Sequence, residues 1–72
     1  MGFEMYVYKR YAAVKSFSGD LKKVLVPRAF QGKPVTEIMD GAFEDNTTLE
    51  AVVIPNGLEK IGANAFANCR NL

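Results

Sequence analysis

The chain has no histidine, and its 72 residues include one cysteine, Cys69. Without histidine the usual general base near neutral pH and the commonest metal ligand are both missing. A single thiol excludes an internal disulfide and a cysteine-pair metal site, so neither staple common in small domains is available. No run of 18 apolar residues exists, which excludes a membrane-spanning helix. The opening residues Met1 to Tyr6 lack the charged and apolar regions of a signal peptide. Tyr6 also stands where a myristoylation signal has Ser or Thr. Export would need a signal outside this stretch. No nucleophile–base pair, phosphate-cradling glycine loop or metal cluster is present, so the parts that catalysis requires are missing and an enzyme is not expected. Nor is a cofactor.

What is present is the make-up of a folded piece. Hydrophobic residues are 49% and charged residues 24%, which argues against disorder. A chain of this size buries only about 60% of the surface it exposes when unfolded, so its core is small. Residues 1–36 hold seven basic residues against two acidic, and residues 37–72 hold two basic against six acidic. That asymmetry reads either as a polyanion-binding face or as ordinary solvation.

The organising feature is an internal repeat. Leu21, Val24, Val26 and Pro27 match Leu49, Val52, Ile54 and Pro55 at an offset of 28. Val35, Ile38, Ala42 and Phe43 then match Leu58, Ile61, Ala65 and Phe66 at an offset of 23. The first copy therefore carries five additional residues between its proline and Val35. The reading that follows is a single domain over 1–72, with one repeat at 21–48, a second at 49–71, and Leu72 opening an incomplete third.

Residues 3–17 are rich in aromatic and β-branched types and are interrupted by Lys9-Arg10, which reads as a hairpin of two short strands. Neither Lys nor Arg suits a primed turn, so its register stays open. Leu21 to Pro27 reads as a strand stopped by proline, Arg28 to Pro34 as a loop, and Val35 to Ile38 as a second extended piece. Asp40 is placed as the cap of a very short helical turn carrying Phe43, with Gly62 to Asn68 as its counterpart. A period of about 23 residues lies within the range of leucine-rich repeats. Such coils bury their apolar residues only by stacking on one another. The expected core is Leu21, Val24, Val26, Ile38, Phe43, Leu49, Val52, Ile54, Ile61, Phe66 and Cys69.

The second copy, I-P-N-G-L-E-K-I-G-A-N-A-F-A-N-C-R-N-L over Ile54 to Leu72, resembles the BspA-like (Treponema-type) leucine-rich repeats. Their unit runs roughly I-P-x-x-V-T-x-I-G-x-x-A-F-x-x-C-x-x-L. Phe30 to Ile38 is similar to that family's longer first repeat, and Ala12 to Gly19 to the strand that precedes it. Two positions depart from the pattern: Met39 replaces a glycine, and Asn46 stands where the second copy has Cys69. The resemblance implies an α/β solenoid of two 23–28-residue coils, each a β-strand plus a short helical turn, preceded by an N-terminal hairpin cap over 3–17. It also implies a non-catalytic protein-interaction or adhesion module of an extracellular or cell-surface protein, whose partner could be a host extracellular protein.

Several residues invite sharper readings. Cys69, without histidine or a second cysteine, reads as a small buried side chain. Asp40, Glu44 and Asp45 lack the spacing of a calcium loop and read as a cap and a solvated face. Lys9, Arg10, Lys15, Lys22 and Lys23 with Tyr6, Tyr8, Tyr11 and Phe17 could bind a nucleic acid; needing the same aromatics to close the end of the stack is the competing reading. Alternation along the strands turns Lys23, Leu25, Ala51 and Val53 outward, making a partly apolar strip that is the candidate partner-binding surface. Simple β-propensity would produce the same strip. Two further functions stay open: a purely structural N-terminal cap of a longer array, and polyanion binding by the basic half. The uncovered last coil implies self-association, head-to-tail or as an isologous dimer.

Overall fold

The computed structural model describes residues 2–72. Among the described residues seven strands form: β1 Gly2–Val7, β2 Ala12–Ser18, β3 Lys23–Leu25, β4 Ala29–Phe30, β5 Lys33–Ile38, β6 Ala51–Val53 and β7 Lys60–Ile61. They make one five-stranded sheet of order β1-β2-β5-β4, with β7 also on β5, and one two-stranded sheet of β3 and β6.

The repeat in the sequence appears as parallel pairing at the same offsets. β3 and β6 run parallel with Lys23 opposite Ala51, Val24 opposite Val52 and Leu25 opposite Val53. β5 and β7 run parallel with Glu37 opposite Lys60 and Ile38 opposite Ile61. β2 extends this second ladder at its other side, pairing parallel to β5 with Val14 opposite Ile38. β1 then pairs antiparallel to β2. The tip of that hairpin is Lys9-Arg10, closed by the Tyr8 amide donating to the Tyr11 carbonyl at 2.8 Å. Its register slips between Glu4 and Met5, so that Lys15 lies opposite no residue.

The five additional residues of the first copy form a hairpin of their own, β4 against β5. Gln31 and Gly32 turn it with φ of 51° and 77°, the left-handed pair that a two-residue hairpin turn requires. β5 consequently starts at Lys33, two residues before the expected Val35.

No helix forms among the described residues, which corrects the expected helical turns. Left-handed residues recur every fourth position, at Gly41 and Asp45 in the first copy and at Asn64 and Asn68 in the second. A left-handed residue ends a right-handed helix. Each segment instead folds as successive four-residue turns, with Ala42, Glu44 and Asn46 bonded to Met39, Gly41 and Phe43. The intervening amides are used between copies: Gly41, Phe43 and Asp45 donate to the carbonyls of Ala63, Ala65 and Ala67 at 3.0, 2.7 and 2.8 Å. A helix would have consumed those donors internally, so pairing with the second copy decides the local conformation.

Gly62 is where the two copies approach most closely. A Cβ there would lie 2.5 Å from the backbone nitrogen of Asp40 and 2.8 Å from the carbonyl carbon of Met39. That explains the glycine after Ile61. Met39 occupies the matching position beside β2, and its amide donates to the Val14 carbonyl at 2.9 Å.

The core is a set of ladders whose middle members are the driest. Phe43 is fully buried and stacks on Phe17 at 5.6 Å and on Phe66 at 5.1 Å, while Phe3 tilts onto Phe17 at 4.9 Å. Val24, Val26, Ile38 and Leu49 are buried as expected. Val52, Phe66 and Cys69 are half-buried. Leu21, Ile54 and Ile61, expected in the core, are 50%, 39% and 52% exposed. The reason is position. Leu49, between Leu21 and Leu72 in its ladder, is completely buried, while those two outer members are half exposed. In the neighbouring ladder Val14 and Ile38 are dry and Ile61 is not, because β1 covers one end of that sheet and no described strand covers the other.

Candidate partner-binding surface

The four outward positions come from the alternation of two short strands. Val24 and Val52 turn toward the core, Val24 being only 2% exposed, so their neighbours on either side face out. Lys23 and Leu25 lie on β3, and Ala51 and Val53 beside them on β6, all four exposed. The parallel register sets Leu25 directly alongside Val53, with 64% and 44% of their surfaces open. Lys23 lies alongside Ala51 at the other end of the strip. The strands are held by Val26 donating to the Val53 carbonyl at 3.0 Å and by Glu50 and Ala51 both donating to Lys22. The result is an exposed apolar pair with a lysine at the other end of the strip.

The carboxylates and the cysteine serve the junction between copies. Asp40 accepts from the Ala63 amide at 2.8 Å, which makes it a cap for the second copy's turn and not for its own. Asp45 accepts from the Asn68 side-chain amide at 2.8 Å. Cys69 donates its thiol to the Phe43 carbonyl at 3.0 Å, so it bonds the backbone of the first copy as well as filling space. Asn46, its counterpart, points its amide at the Gly19 carbonyl at 3.5 Å and accepts from Thr48 at 3.0 Å. Among the described residues no group of three or more His, Cys, Asp or Glu could hold a metal ion. No described helix is long and apolar enough to cross a membrane.

A second surface, where three of the aromatics and one of the lysines offered for nucleic-acid binding meet, lies on the larger sheet. Tyr8 and Tyr11 stack at 4.7 Å, Tyr6 meets Tyr8 edge-on at 6.3 Å, and the Lys15 ammonium sits 5.1 Å above the Tyr6 ring. Beside them is an open groove of about 440 Å³ where Glu4, Glu37 and Asp40 alternate with Lys15 and Lys60. Glu4 accepts from Ser16 at 2.8 Å, and Glu37 pairs loosely with Lys60 at 3.9 Å. The β1–β2 hairpin and the parallel pairing of β5 with β2 and with β7 bring these residues together. Lys15 is thus surrounded by carboxylates here, which leaves this groove without a continuous track for phosphates.

A family model described as a BspA type leucine-rich repeat region (6 copies) matches residues 14–72. The chain belongs to the BspA-type leucine-rich repeat family. The crystal structure of the T. pallidum leucine-rich repeat protein superposes on it with a TM-score of 0.93 at 26% identity. That match takes in 97% of this chain and 34% of the T. pallidum chain, so this sequence spans about a third of the solved relative's length. Among curated proteins none matches. Leucine-rich repeat proteins act in general as protein-interaction modules, and the BspA-type strands β3 and β6 present the apolar pair just described.

Proposed function

We propose that this chain is a non-catalytic protein-binding module whose contact surface is the outward strip of β3 and β6. The observation that carries the reading is the Leu25–Val53 pair, two apolar side chains side by side and exposed on the small sheet. A folded chain with so small a core gains nothing in stability from apolar groups left in water, whereas a partner that covers them does gain. Lys23 and Ala51 complete the strip and give it a charged border. The host protein, on this reading, is an adhesin displayed at a cell surface or released outside the cell, and its partner is an extracellular or cell-surface protein. Residues 21–48 and 49–71 act as successive coils of a solenoid, and the β1–β2 hairpin covers one end of it.

Two other readings predict different results. If the chain only closes the end of a longer array, the strip is incidental. If the basic half binds polyanions, affinity depends on Lys9, Arg10, Lys22 and Lys23 and falls steeply with salt. The discriminating experiment is solid-phase binding of the chain to a panel of immobilised extracellular-matrix proteins, repeated with Leu25→Asp/Val53→Asp and across a salt series. Binding that the double variant abolishes and that salt barely affects supports the strip. Unchanged binding in the variant removes it, and a steep salt slope points to the basic half.

A further inference from the structure

We propose that the groove on the larger sheet is a binding site for a neutral saccharide, at a surface separate from the β3–β6 strip. This goes beyond the protein-binding reading above and does not rest on it. The site is built by an irregularity. Along β2, Val14 and Phe17 both belong to the buried core although they are three residues apart, a spacing that plain alternation would send to opposite faces. The register slip beside them absorbs the additional residue, so Lys15 and Ser16 both turn to the outer face and both line the groove. Ala13 is also buried yet stands outside that core, between Ala12 and Val14, so it faces the same outer side. Its partners in register are Tyr6 on β1 and Glu37 on β5, and Glu37 in turn is paired with Lys60 on β7. A methyl group standing between an aromatic ring and two long charged side chains leaves a depression in this face.

The chemistry of the lining selects the ligand. Glu4 uses Oε1 on Ser16 and Asp40 uses Oδ1 on the Ala63 amide, both at 2.8 Å, while Glu37 meets Lys60 only through Oε2 at 3.9 Å. Among the described residues the second oxygen of each carboxylate accepts no hydrogen bond. The Lys15 ammonium donates none among them either, and rests 5.1 Å from the centre of the Tyr6 ring. Unused acceptors and an unused donor therefore border one open volume of about 440 Å³, within the roughly 300–1,000 Å³ of small-ligand sites. A hydroxyl group donates and accepts at once, so it can serve a carboxylate and an ammonium together, and hydrogen bonds to charged partners are the stronger ones. With three carboxylates set among two ammoniums, a ligand of strong charge of either sign meets its like at one contact or another. A neutral polyhydroxyl ligand is the complement that remains. Tyr6, 43% exposed, and the half-buried Met39 add apolar surface on which the C–H face of a sugar ring packs. The groove lies across the face of the sheet and not along its edge, so a strand added beside β7 would lengthen it without covering it.

Titration of the isotope-labelled chain with the methyl glycosides of glucose, galactose, mannose and N-acetylglucosamine, and with lactose and cellobiose, followed by amide chemical shifts, tests this. The expected result is a saturable shift for at least one of these sugars, confined to the amides around Tyr6, Ala13, Lys15 and Glu37 and little changed by salt. Tyr6→Ala should weaken that binding at least about tenfold, as loss of an aromatic anchor does, with an unchanged circular dichroism spectrum. Lys15→Met, which removes the donor and keeps the apolar stem at an exposed position, repeats this arm should Tyr6→Ala disturb folding. Leu25→Asp/Val53→Asp should bind the sugar like the parent, which separates this site from the strip. No saturable shift with any of these sugars overturns the proposal. So does sugar binding that Tyr6→Ala and Lys15→Met both leave intact, shifts that map to β3 and β6, or a groove that responds to a lysine-rich or a glutamate-rich peptide and to no sugar.

Discussion

Replacing Phe43 by alanine should cost far more than the same change at Phe66, although the two hold equivalent places in the repeat. Phe43 is 1% exposed and stacks on an aromatic ring from each side, Phe17 at 5.6 Å and Phe66 at 5.1 Å. Full burial of such a side chain contributes about 1.5–3 kcal/mol, and each aromatic pair about 0.5–1.5 kcal/mol more. The total agrees with the roughly 3–5 kcal/mol typical of phenylalanine truncation in a core. Phe66 is half-buried and stacks on Phe43 alone, so its loss should cost about 1.5–3 kcal/mol by the same reckoning. A domain of this length has roughly 4–11 kcal/mol of stability in all, so the first variant should lie near the threshold of unfolding and the second well above it. Urea denaturation followed by circular dichroism measures both. With an m-value of about 1 kcal/mol per molar urea, the two midpoints should differ by roughly 1–2 M. Equal losses at the two positions would show that exposure at the outer end of the ladder has no energetic consequence, and the ladder account would fail.

Gly62→Ala should destabilise by about 1–3 kcal/mol, as overpacking does, because its Cβ would press on the backbone of Met39 and Asp40; Gly57→Ala, with nothing within 4 Å, is the control. Asp40→Ala should cost about 1 kcal/mol, the usual loss of a side-chain cap, and a thermal melt in which Asp40→Asn restores most of it would identify the bond to Ala63. Cys69→Ser keeps a donor for the Phe43 carbonyl and should melt within about 1 kcal/mol of the parent, while Cys69→Val, which has none, should fall further.

The strand ladders were legible because they rest on apolar residues at matching offsets, and parallel in-register pairing converts such offsets directly into contacts. Lys23, Leu25, Ala51 and Val53 were placed outward by alternation alone. The turns after Ile38 and Ile61 read as helical in the sequence because alanine, glutamate and a leading aspartate favour helix locally. What overrode them was pairing of Gly41, Phe43 and Asp45 with the second copy, an interaction between residues 22 apart. The recurrence of Asn64 and Asn68 four residues apart was the available signal, since asparagine is among the few side chains that tolerate left-handed backbone. Ladder membership was likewise readable for Leu21, Ile54 and Ile61, but not their exposure, which depends on which members have a neighbour on both sides. The pairing of β2 with β5 leaves no trace at a fixed offset, because Val14 and Phe17 are three apart while Ile38 and Phe43 are five apart, so the carboxylates that β5 sets beside Lys15 are not foreseeable from the sequence.

The dry centre and wet margins of these ladders also set the order in which the molecule opens. Amide hydrogens of β5 are shielded by pairing on both edges, whereas those of β6 and β7 sit in ladders with one open side. Hydrogen–deuterium exchange should therefore run as a gradient, fastest over the second copy and slowest along Val35–Ile38, with the outer strands opening by local fraying well below the free energy of global unfolding. A ligand that docks on that margin would be recorded first as slower exchange at β6 and β7, and only later in the melting temperature.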